Sequence, residues 1–325
     1  MQKRLWNCVI SLVLVTCATL SAEGKALIEL DSNQEAQCLS IVRHALASDE
    51  FWPSMHAAEA LTLAGYGEEV RRVVEPMLAT VTDSQHRCGL ARELVRAGDL
   101  SKARILLDLL ASSDTNGHVH AAESSYKVWQ IGDGEIMRAA FADRDNPNKA
   151  RMAAAALARC GNPEALTYLR NELQSEDADT ARIAAWVLGR VGDASDVPAL
   201  RTCIKRFKEP LATGFFVHAL AALGDSDGIR QLEQHLASDD ATVRTMAATF
   251  AGEIGLHYLK DKLLAMLEDE HTDARIRSAQ SLLRMARVTA PKLKGIVVSD
   301  VYPATEANPR YSEGEIGRAS CRERV

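Results

Sequence analysis

The sequence predicts an all-α fold, a right-handed α-solenoid of about eight helical-hairpin repeats. Two observations carry this prediction: glycines recur at a near-constant interval along the chain, and apolar residues follow each glycine at the spacing of one helix face. In such arrays each unit packs mainly on its neighbours, so the chain grows by adding units instead of thickening one core. A chain of 325 residues is long enough for an array of this kind.

Seven glycines mark the joints between units, with intervals of 29 to 34 residues. They are Gly65, Gly98, Gly132, Gly161, Gly192, Gly224 and Gly255. Five of them precede a residue that caps helices, namely Asp99, Asp133, Asn162, Asp193 and Asp225. Glycine tolerates the left-handed conformation that ends a helix, and Asp or Asn side chains accept the free N–H groups that begin one. Each pair therefore predicts the end of one unit and the start of the next.

The first helix of each unit follows its glycine, with apolar residues at offsets of five, eight and twelve, which share one helix face. The sets are Val70/Val73/Met77, Ala103/Leu106/Leu110, Leu166/Leu169/Leu173, Val197/Leu200/Ile204 and Ile229/Leu232/Leu236. The pattern fails at Arg144 and Lys260. We expect a shortened helix or a shifted register there, as Leu259 and Leu263 indicate.

The second helix of each unit carries small residues, which predicts close approach between helices. The clearest examples are residues 56–61, 152–157, 182–189 and 243–248. These segments resemble HEAT repeats of the short, phycobilisome-lyase-like kind, whose second helix runs close to V-R-x-x-A-A-x-A-L-G, with Arg244 and Arg275 at the family's arginine position. The resemblance covers residues 34–287 and implies a concave surface, lined by second helices, that binds protein or peptide partners. Tetratricopeptide repeats are the structural alternative, but their spaced Trp, Gly, Tyr and Pro pattern is absent.

A row of polar residues is the candidate binding feature. Aligning the second helices of the first three units places His56, His86 and His120 at one equivalent position, with Glu59 and Glu123 one turn further on. Packed helices lie about 10 Å apart, so we expect these side chains to form a partner-binding row on the concave surface. Histidine also binds metals and titrates near neutral pH, but a 10 Å separation is too long for two histidines to share one ion. We therefore predict no metal site.

The charge and the cysteines exclude several classes of function. The formal net charge is −6, and it becomes −9 without Lys3, Arg4 and residues 315–325, so a nucleic-acid partner is not expected. Four cysteines lie in the repeats without a metal-ligand spacing, and we expect buried thiols instead of disulfides. They are Cys38, Cys88, Cys160 and Cys203. Since no phosphate-binding loop or nucleophile motif occurs, no catalytic residue and no cofactor is predicted.

Residues 1–22 predict a signal peptide. Lys3 and Arg4 precede an apolar stretch that is too short to cross a bilayer. Cleavage after Ala22 or Ala18 leaves a small residue at the cut, while residues 14–17 loosely resemble a lipobox, so a lipid anchor through Cys17 is the alternative. We expect export, to the periplasm or outside the cell, with no transmembrane segment after the signal.

The chain changes character after Arg287. Residues 288–314 are extended and turn-rich, and their N-P-R-Y-S-E-G stretch resembles the opening of sialidase-like β-propeller proteins. That resemblance implies that Arg310 binds the carboxylate of a sugar acid, since a guanidinium suits bidentate pairing. Residues 315–325 resemble a translated sequencing adapter, and nothing functional is inferred from them.

Two functions from different classes follow. The first is an exported, non-catalytic HEAT-repeat scaffold that binds a protein, peptide or other macromolecular partner on its concave face. The alternative is the N-terminal HEAT module of a truncated sialidase-like glycoside hydrolase. Because no Asp-box or nucleophile pair precedes residue 315, the chain as it stands is predicted not to be an enzyme, and the question stays open for a longer parent protein.

Overall fold

A computed structural model describes residues 28–286, so the predictions for residues 1–22, 288–314 and 315–325 lie outside the described residues. Within residues 28–286 the fold is all-α, with sixteen α-helices in eight hairpins and no strand. The first helices of the hairpins are α1 (Ser32–Leu46), α3 (Gly67–Thr80), α5 (Ala103–Leu110), α7 (Glu135–Ala142), α9 (Pro163–Glu172), α11 (Val197–Arg206), α13 (Ser226–His235) and α15 (Lys260–Ala265). The second helices are α2 (Phe51–Leu63), α4 (Ser84–Arg96), α6 (His118–Val128), α8 (Pro147–Arg159), α10 (Ala178–Val191), α12 (Pro210–Ala222), α14 (Ala241–Ile254) and α16 (Thr272–Met285).

Short 3-10 helices flank several of these elements, at Leu100–Lys102, Thr115–Gly117, Ala194–Asp196, His257–Leu259 and Met266–Glu268. The prediction of an all-α solenoid of eight helical hairpins is confirmed. The repeat glycines lie between a second helix and the next first helix, as predicted.

The capping prediction is confirmed. All five side chains that follow a repeat glycine accept a backbone N–H at the start of the next helical segment, those of Asp99, Asp133, Asn162, Asp193 and Asp225.

Six of the seven repeat glycines adopt positive φ angles, and Gly192 does not, with φ of −81°. A Cβ atom at Gly192 would lie 2.4 Å from the Asp196 carboxylate, which accepts a hydrogen bond from the Asp193 N–H. Glycine is therefore needed at this joint for space, and the expectation of a left-handed residue was wrong there.

The first helices pack through the predicted face with one shift. In α5, Ala103, Leu106 and Leu110 are all buried, as predicted. In α3, however, Val74 is fully buried, whereas Val73 is 37% exposed. An apolar stripe can step by four and then three residues as well as by three and then four, and the fixed offsets did not allow for the change. Leu259 and Leu263 are buried around the short α15, which confirms the shifted register there.

The second helices approach one another closely because their facing residues are small. Gly252 of α14 is one such contact: a Cβ atom at this position would lie 2.2 Å from the hydroxyl oxygen of Ser281 in α16. That hydroxyl donates a 2.7 Å hydrogen bond to the carbonyl of Ala248. The two helices therefore join through both packing and a buried hydrogen bond.

The array closes into a ring, because α16 packs against α1 and α2 as well as against α14. We call the contact between α16 and the first hairpin the seam. The hydrogen bonds that cross between the first and last units include Gln37 to Glu268 at 2.6 Å, Lys260 to the Glu29 carbonyl at 2.5 Å, and the Ile28 N–H to the Met285 carbonyl at 3.4 Å. The sequence analysis predicts a concave surface, and ring closure makes that surface an enclosed interior.

No helix within residues 28–286 combines the length and the apolar character needed to cross a membrane.

Candidate binding cavity

The ring interior is lined by one stripe of side chains from each of several second helices. In α10 the stripe is Asp179, Ile183, Trp186 and Arg190. In α14 it is Thr242, Met246, Thr249 and Glu253. Steps of four, three and four residues place these side chains on one helix face. The stripes enclose a cavity of about 700 Å³, which we call the central cavity.

The central cavity is open at one end of the ring and closed at the other. The chain reverses within each hairpin and again between hairpins, so all second helices run in the same direction. At the end where they begin, which we call the open face, the side chain of Asp179 is 77% exposed. At the end where they finish, which we call the closed face, the Arg190 guanidinium donates a 2.9 Å hydrogen bond to Glu253, and these side chains are only 4% and 10% exposed. This buried pair forms part of the floor.

The two walls of the central cavity differ in polarity. Met152, Ile183, Phe215 and Met246 occupy the same level of the consecutive helices α8, α10, α12 and α14, and form an apolar wall at that level. Charged side chains of the same helices, among them Arg151 and Arg182, line the cavity beside it. The opposite wall carries charged and polar side chains of α2, α6 and α16, namely His56, Glu59, Glu123, Lys127, Asp273 and Arg277. A ligand at the level of these four apolar side chains would therefore meet an apolar surface on one side and hydrogen-bonding groups on the other.

A buried ion-pair network fills the interior beside α4. Glu93 is fully buried and accepts 2.6 Å hydrogen bonds from Arg92 and Arg96. Arg96 also lies 3.3 Å from Glu59, which accepts a 2.8 Å hydrogen bond from Arg277. A buried charge is tolerated only when it is paired, so removal of any one member would leave its partners without compensation. The network links α4, α2 and α16 and so spans the seam.

His56 makes a second polar contact across the seam. Its Nδ1 lies 2.7 Å from the Asp273 carboxylate, so the imidazole donates to α16. Burial and the nearby Arg277 guanidinium lower the pKa of His56, and they outweigh the opposing effects of Asp273 and Glu59. Burial alone would raise the pKa of Asp273, but the hydrogen bond from His56 and the nearby positive charge of Arg277 together lower it. Because both pKa values are lowered, a neutral His56 imidazole lies beside an ionised Asp273 carboxylate.

The predicted polar row is placed by the structure in two separate groups. His86 and His120 lie at the N-terminal ends of α4 and α6, where both contact Trp52, with ring centroids 5.9 and 5.3 Å from its ring. His86 also stacks on Phe51 at 3.8 Å. His56 lies about one turn further along α2 and pairs with α16 instead. The three histidines therefore do not occupy one equivalent level.

The two glutamates of the row also have different partners. Glu59 belongs to the buried ion-pair network. Glu123 lies 2.8 Å from Lys127, one turn further along α6. Burial alone would raise the pKa of Glu123, but Lys127, with Arg92 and His120, lowers it to about 2. His56, Glu59 and Glu123 line the central cavity, whereas His86 and His120 form an aromatic cluster with Trp52 at the open face.

The remaining site residues of the sequence analysis fall elsewhere. Arg310 and Cys17 lie outside the described residues. Within residues 28–286, no group of three or more His, Cys, Asp or Glu side chains is arranged to hold a metal ion. Cys38, Cys88 and Cys203 are buried free thiols, as expected, whereas Cys160 is only partly buried.

Sequence reasoning missed the apolar wall and the charged partners across the seam. The signal for the wall was present, because Asp179, Ile183, Trp186 and Arg190 follow helical spacing on a face that is not the packing face. No local pattern could show that Asp273 and Arg277 meet the first hairpin, since that contact exists only when the ring closes.

A ring of helical hairpins whose second helices line the interior defines the chain as an α-solenoid repeat protein. The family model for HEAT repeats matches residues 135–214, which lie in the hairpins from α7 to α12. Two crystal structures of engineered proteins are similar at 17% identity. One match covers 76% of this chain and 78% of the other at a TM-score of 0.28, and the second covers 78% and 97% at 0.23. No protein of curated function gives a significant match.

Proposed function

We propose that the chain is an exported, non-catalytic HEAT-repeat scaffold that binds a segment of a protein partner in its central cavity. The observation that carries this proposal is the cavity itself, because the concave surface of the repeats encloses about 700 Å³ and opens at one face. HEAT repeats commonly mediate protein interactions through that surface.

The size of the central cavity decides what kind of partner fits. Ligand sites of about 300–1,000 Å³ enclose molecules of small-ligand size. A folded domain of 100 residues has a radius of gyration of about 13 Å and is too large to enter. If the partner is a protein, the element that enters is therefore a short peptide segment, such as a tail or a loop, and any folded part of the partner stays outside the ring.

The pairing of the cavity's charges supports binding over catalysis. Glu59, Glu123 and Glu253 each lie within hydrogen-bond distance of a cation, at 2.8, 2.8 and 2.9 Å. A general acid or base needs a proton that it can exchange near the working pH, and an ion-paired carboxylate at the depressed pKa of Glu123 does not provide one.

The test is selection of peptides from a random displayed library on the purified protein, followed by affinity measurement with labelled synthetic peptides. Thr249→Trp would place an indole in the central cavity from α14. It should weaken binding of the selected peptides by at least about tenfold, since the indole covers apolar surface that the peptides would otherwise bury. Thr202→Trp is the matched control. Both threonines are helical and donate to a carbonyl four residues earlier, but Thr202 lies exposed on α11, outside the ring.

Selected peptides that bind both variants equally would place the binding surface outside the central cavity and overturn the proposal. Circular dichroism and thermal unfolding of both variants would establish that each still folds. A selection that yields no binding peptide at all would also count against it.

Export and the alternative function concern residues outside the described part of the chain. Mass spectrometry of the N-terminus of the expressed protein tests the signal peptide, with cleavage after Ala22 or Ala18, or a lipid on Cys17, as the distinguishing results. Sequencing of the source DNA beyond the codon for Gly314 tests the sialidase-like alternative. Repeated Asp-boxes and further arginines would support it, and an early stop codon would remove it.

A further inference from the structure

The open face of the ring carries a large excess of acidic residues. The eight segments that lead from a first helix to its second helix contain fourteen Asp or Glu and two Arg or Lys. The acidic residues are Asp49, Glu50, Asp83, Asp114, Asp143, Asp145, Glu176, Asp177, Glu209, Asp239, Asp240, Glu268, Asp269 and Glu270. The seven segments at the closed face contain five acidic residues, Asp99, Asp133, Asp193, Asp196 and Asp225, and one cation, Lys102. The two faces therefore differ strongly in charge.

Folding accounts for only part of this excess. Asp83, Asp114, Asp177 and Asp240 accept backbone N–H groups at helix starts, which is the ordinary role of aspartate there. Most of the others cap no helix, and the side chains of Glu176 and Glu270 are 92% and 90% exposed, with only long contacts of 3.9 and 3.7 Å to Arg206 and Arg244. Cations contact acids at both faces: Lys149 and Arg244 pair with Asp143 and Asp269 at the open face, and arginines of neighbouring first helices engage Asp193, Asp196 and Asp225 at the closed face.

The acidic residues surround the mouth of a cavity that can receive an apolar side chain. The apolar wall lies below the open face and is formed by Met152, Ile183, Phe215 and Met246. The floor is closed by the buried pair of Arg190 and Glu253, so a bound group does not need to neutralise a charge there. A suitable occupant carries positive charges where it crosses the open face and a bulky apolar group where it enters.

We infer that the partner segment is a Lys- and Arg-rich stretch of polypeptide that inserts a bulky apolar side chain into the central cavity through the open face. This inference rests on the proposed function and adds the chemistry of the partner. The cations lie along the acidic segments, which extend around the whole mouth, and the apolar anchor contacts the wall formed by α8 to α14. Opposite charge at the rim speeds association and selects against acidic partners, while burial of the anchor supplies most of the affinity.

The experiment uses three fluorescein-labelled nine-residue peptides and fluorescence anisotropy. One has a central Phe flanked by four Lys on each side, one replaces the Phe with Ala, and one replaces every Lys with Glu. We expect the Lys/Phe peptide to bind, the Lys/Ala peptide to bind at least about tenfold more weakly, and the Glu/Phe peptide not to bind. Binding of the Lys/Phe peptide should also weaken as salt is raised, because exposed charges are screened.

Two triple variants with the same change in net charge separate the open face from the rest of the surface. Glu176→Lys, Asp239→Lys and Glu270→Lys together reverse exposed acids at the open face, and should weaken the Lys/Phe peptide by at least about tenfold. The matched control reverses exposed acids at the closed-face ends of first helices, with Glu135→Lys, Glu164→Lys and Asp261→Lys, and should change the affinity by less than about twofold.

Three results would overturn the inference. Equal weakening by the two triple variants would show that net charge alone attracts the peptide. Equal binding of the Lys/Phe and Lys/Ala peptides would show that no apolar side chain enters the cavity. Failure of the Lys/Phe peptide to bind, while library-selected peptides of other composition still lose affinity in Thr249→Trp, would overturn this inference and leave the proposed function standing.

Discussion

Glu59 of α2 accepts a 2.8 Å hydrogen bond from Arg277 of α16, although 218 positions separate the two residues in the chain. The same carboxylate lies 3.3 Å from Arg96 of α4. One acidic side chain therefore holds cations from the helices on either side of it and connects the first hairpin to the last. The ring is closed by specific polar contacts as well as by apolar packing.

Removal of the Glu59 charge should destabilise the protein strongly. Glu59→Gln leaves Arg96 and Arg277 in a buried setting with one carboxylate fewer, and loss of one member of a buried ion pair costs about 3–5 kcal/mol. The measurement is urea-induced unfolding followed by circular dichroism. Glu68→Gln is the control, because Glu68 pairs with Arg72 on the exposed side of α3 and should cost less than about 1 kcal/mol. Similar losses in the two variants would contradict a buried network at the seam.

Stability should fall in mild acid because of a buried histidine. His218 of α12 is fully buried, and its Nε2 lies 3.2 Å from Nδ1 of His235. Burial, then His235 and Arg190, lowers the pKa of His218 well below 6.5. The unfolded chain binds a proton that the folded chain excludes, so this contribution is fully present above pH 6.5 and is lost as the pH falls below it. The expected slope is at most about 1.4 kcal/mol per pH unit for this one group.

The pH dependence can be assigned with one variant. His218→Leu removes the titrating group and keeps an apolar side chain beside Phe250, so urea unfolding at pH 7, 6 and 5 should show a shallower loss than the parent protein. The pKa values of His56, His120 and His235 are also lowered by burial, so the slope should decrease without vanishing. An unchanged slope would show that His218 is not the proton-linked group.

A methyl group at Gly252 should disturb the contact between α14 and α16. The added Cβ would lie 2.7 Å from the Ser281 Cα, so backbone must move, and overpacking of this kind costs about 1–3 kcal/mol. The comparison is Gly161→Ala, where φ is +90° but no atom lies within 4 Å of the new Cβ, so only backbone strain of about 1 kcal/mol is expected. Thermal unfolding of both variants measures the difference, and a smaller loss at Gly252 would contradict the close approach.

Two buried thiols should resist alkylation until the protein unfolds. Cys38 and Cys88 are fully buried, and burial raises the pKa of each thiol to about 12. Since the thiolate is the reactive form, iodoacetamide at pH 8 should leave both unmodified in the folded protein and modify both in urea. Peptide mapping by mass spectrometry identifies each cysteine. Rapid modification of either one in the folded protein would show that its hairpin opens readily.

The repeat organisation could be predicted because it depends on local chemistry. Glycine followed by Asp or Asn ends one helix and starts another wherever it occurs, and the apolar spacing after it determines which face is buried. The error at Val73 arose because a fixed offset cannot follow a stripe that steps by four before three. Gly192 has no positive φ, because glycine is needed there to leave space for the Asp196 side chain. In the sequence, a glycine required for space looks the same as a glycine required for positive φ.

The candidate site could be predicted only in part. Alignment of helices by sequence placed His56 level with His86 and His120, but α2 begins earlier relative to its histidine, so His56 lies deeper in the ring. Ring closure results from small rotations between neighbouring repeats that accumulate over eight repeats. The sequence of a single repeat does not indicate whether the total rotation closes a ring. The partners of His56 and Glu59 on α16 follow from closure alone, and so could not be inferred from the spacing of residues.

The hydrogen bond between Ile28 and Met285 brings the two ends of the described chain together at the seam. The ring consequently has no structural first repeat, since each hairpin has a neighbour on both sides. A circularly permuted chain that begins at Asn162 and joins residues 286 and 28 through a short linker would keep every contact between hairpins. Such a permutant should fold to the same ring, whereas in an open array the same rearrangement would need a linker that spans the full length of the molecule.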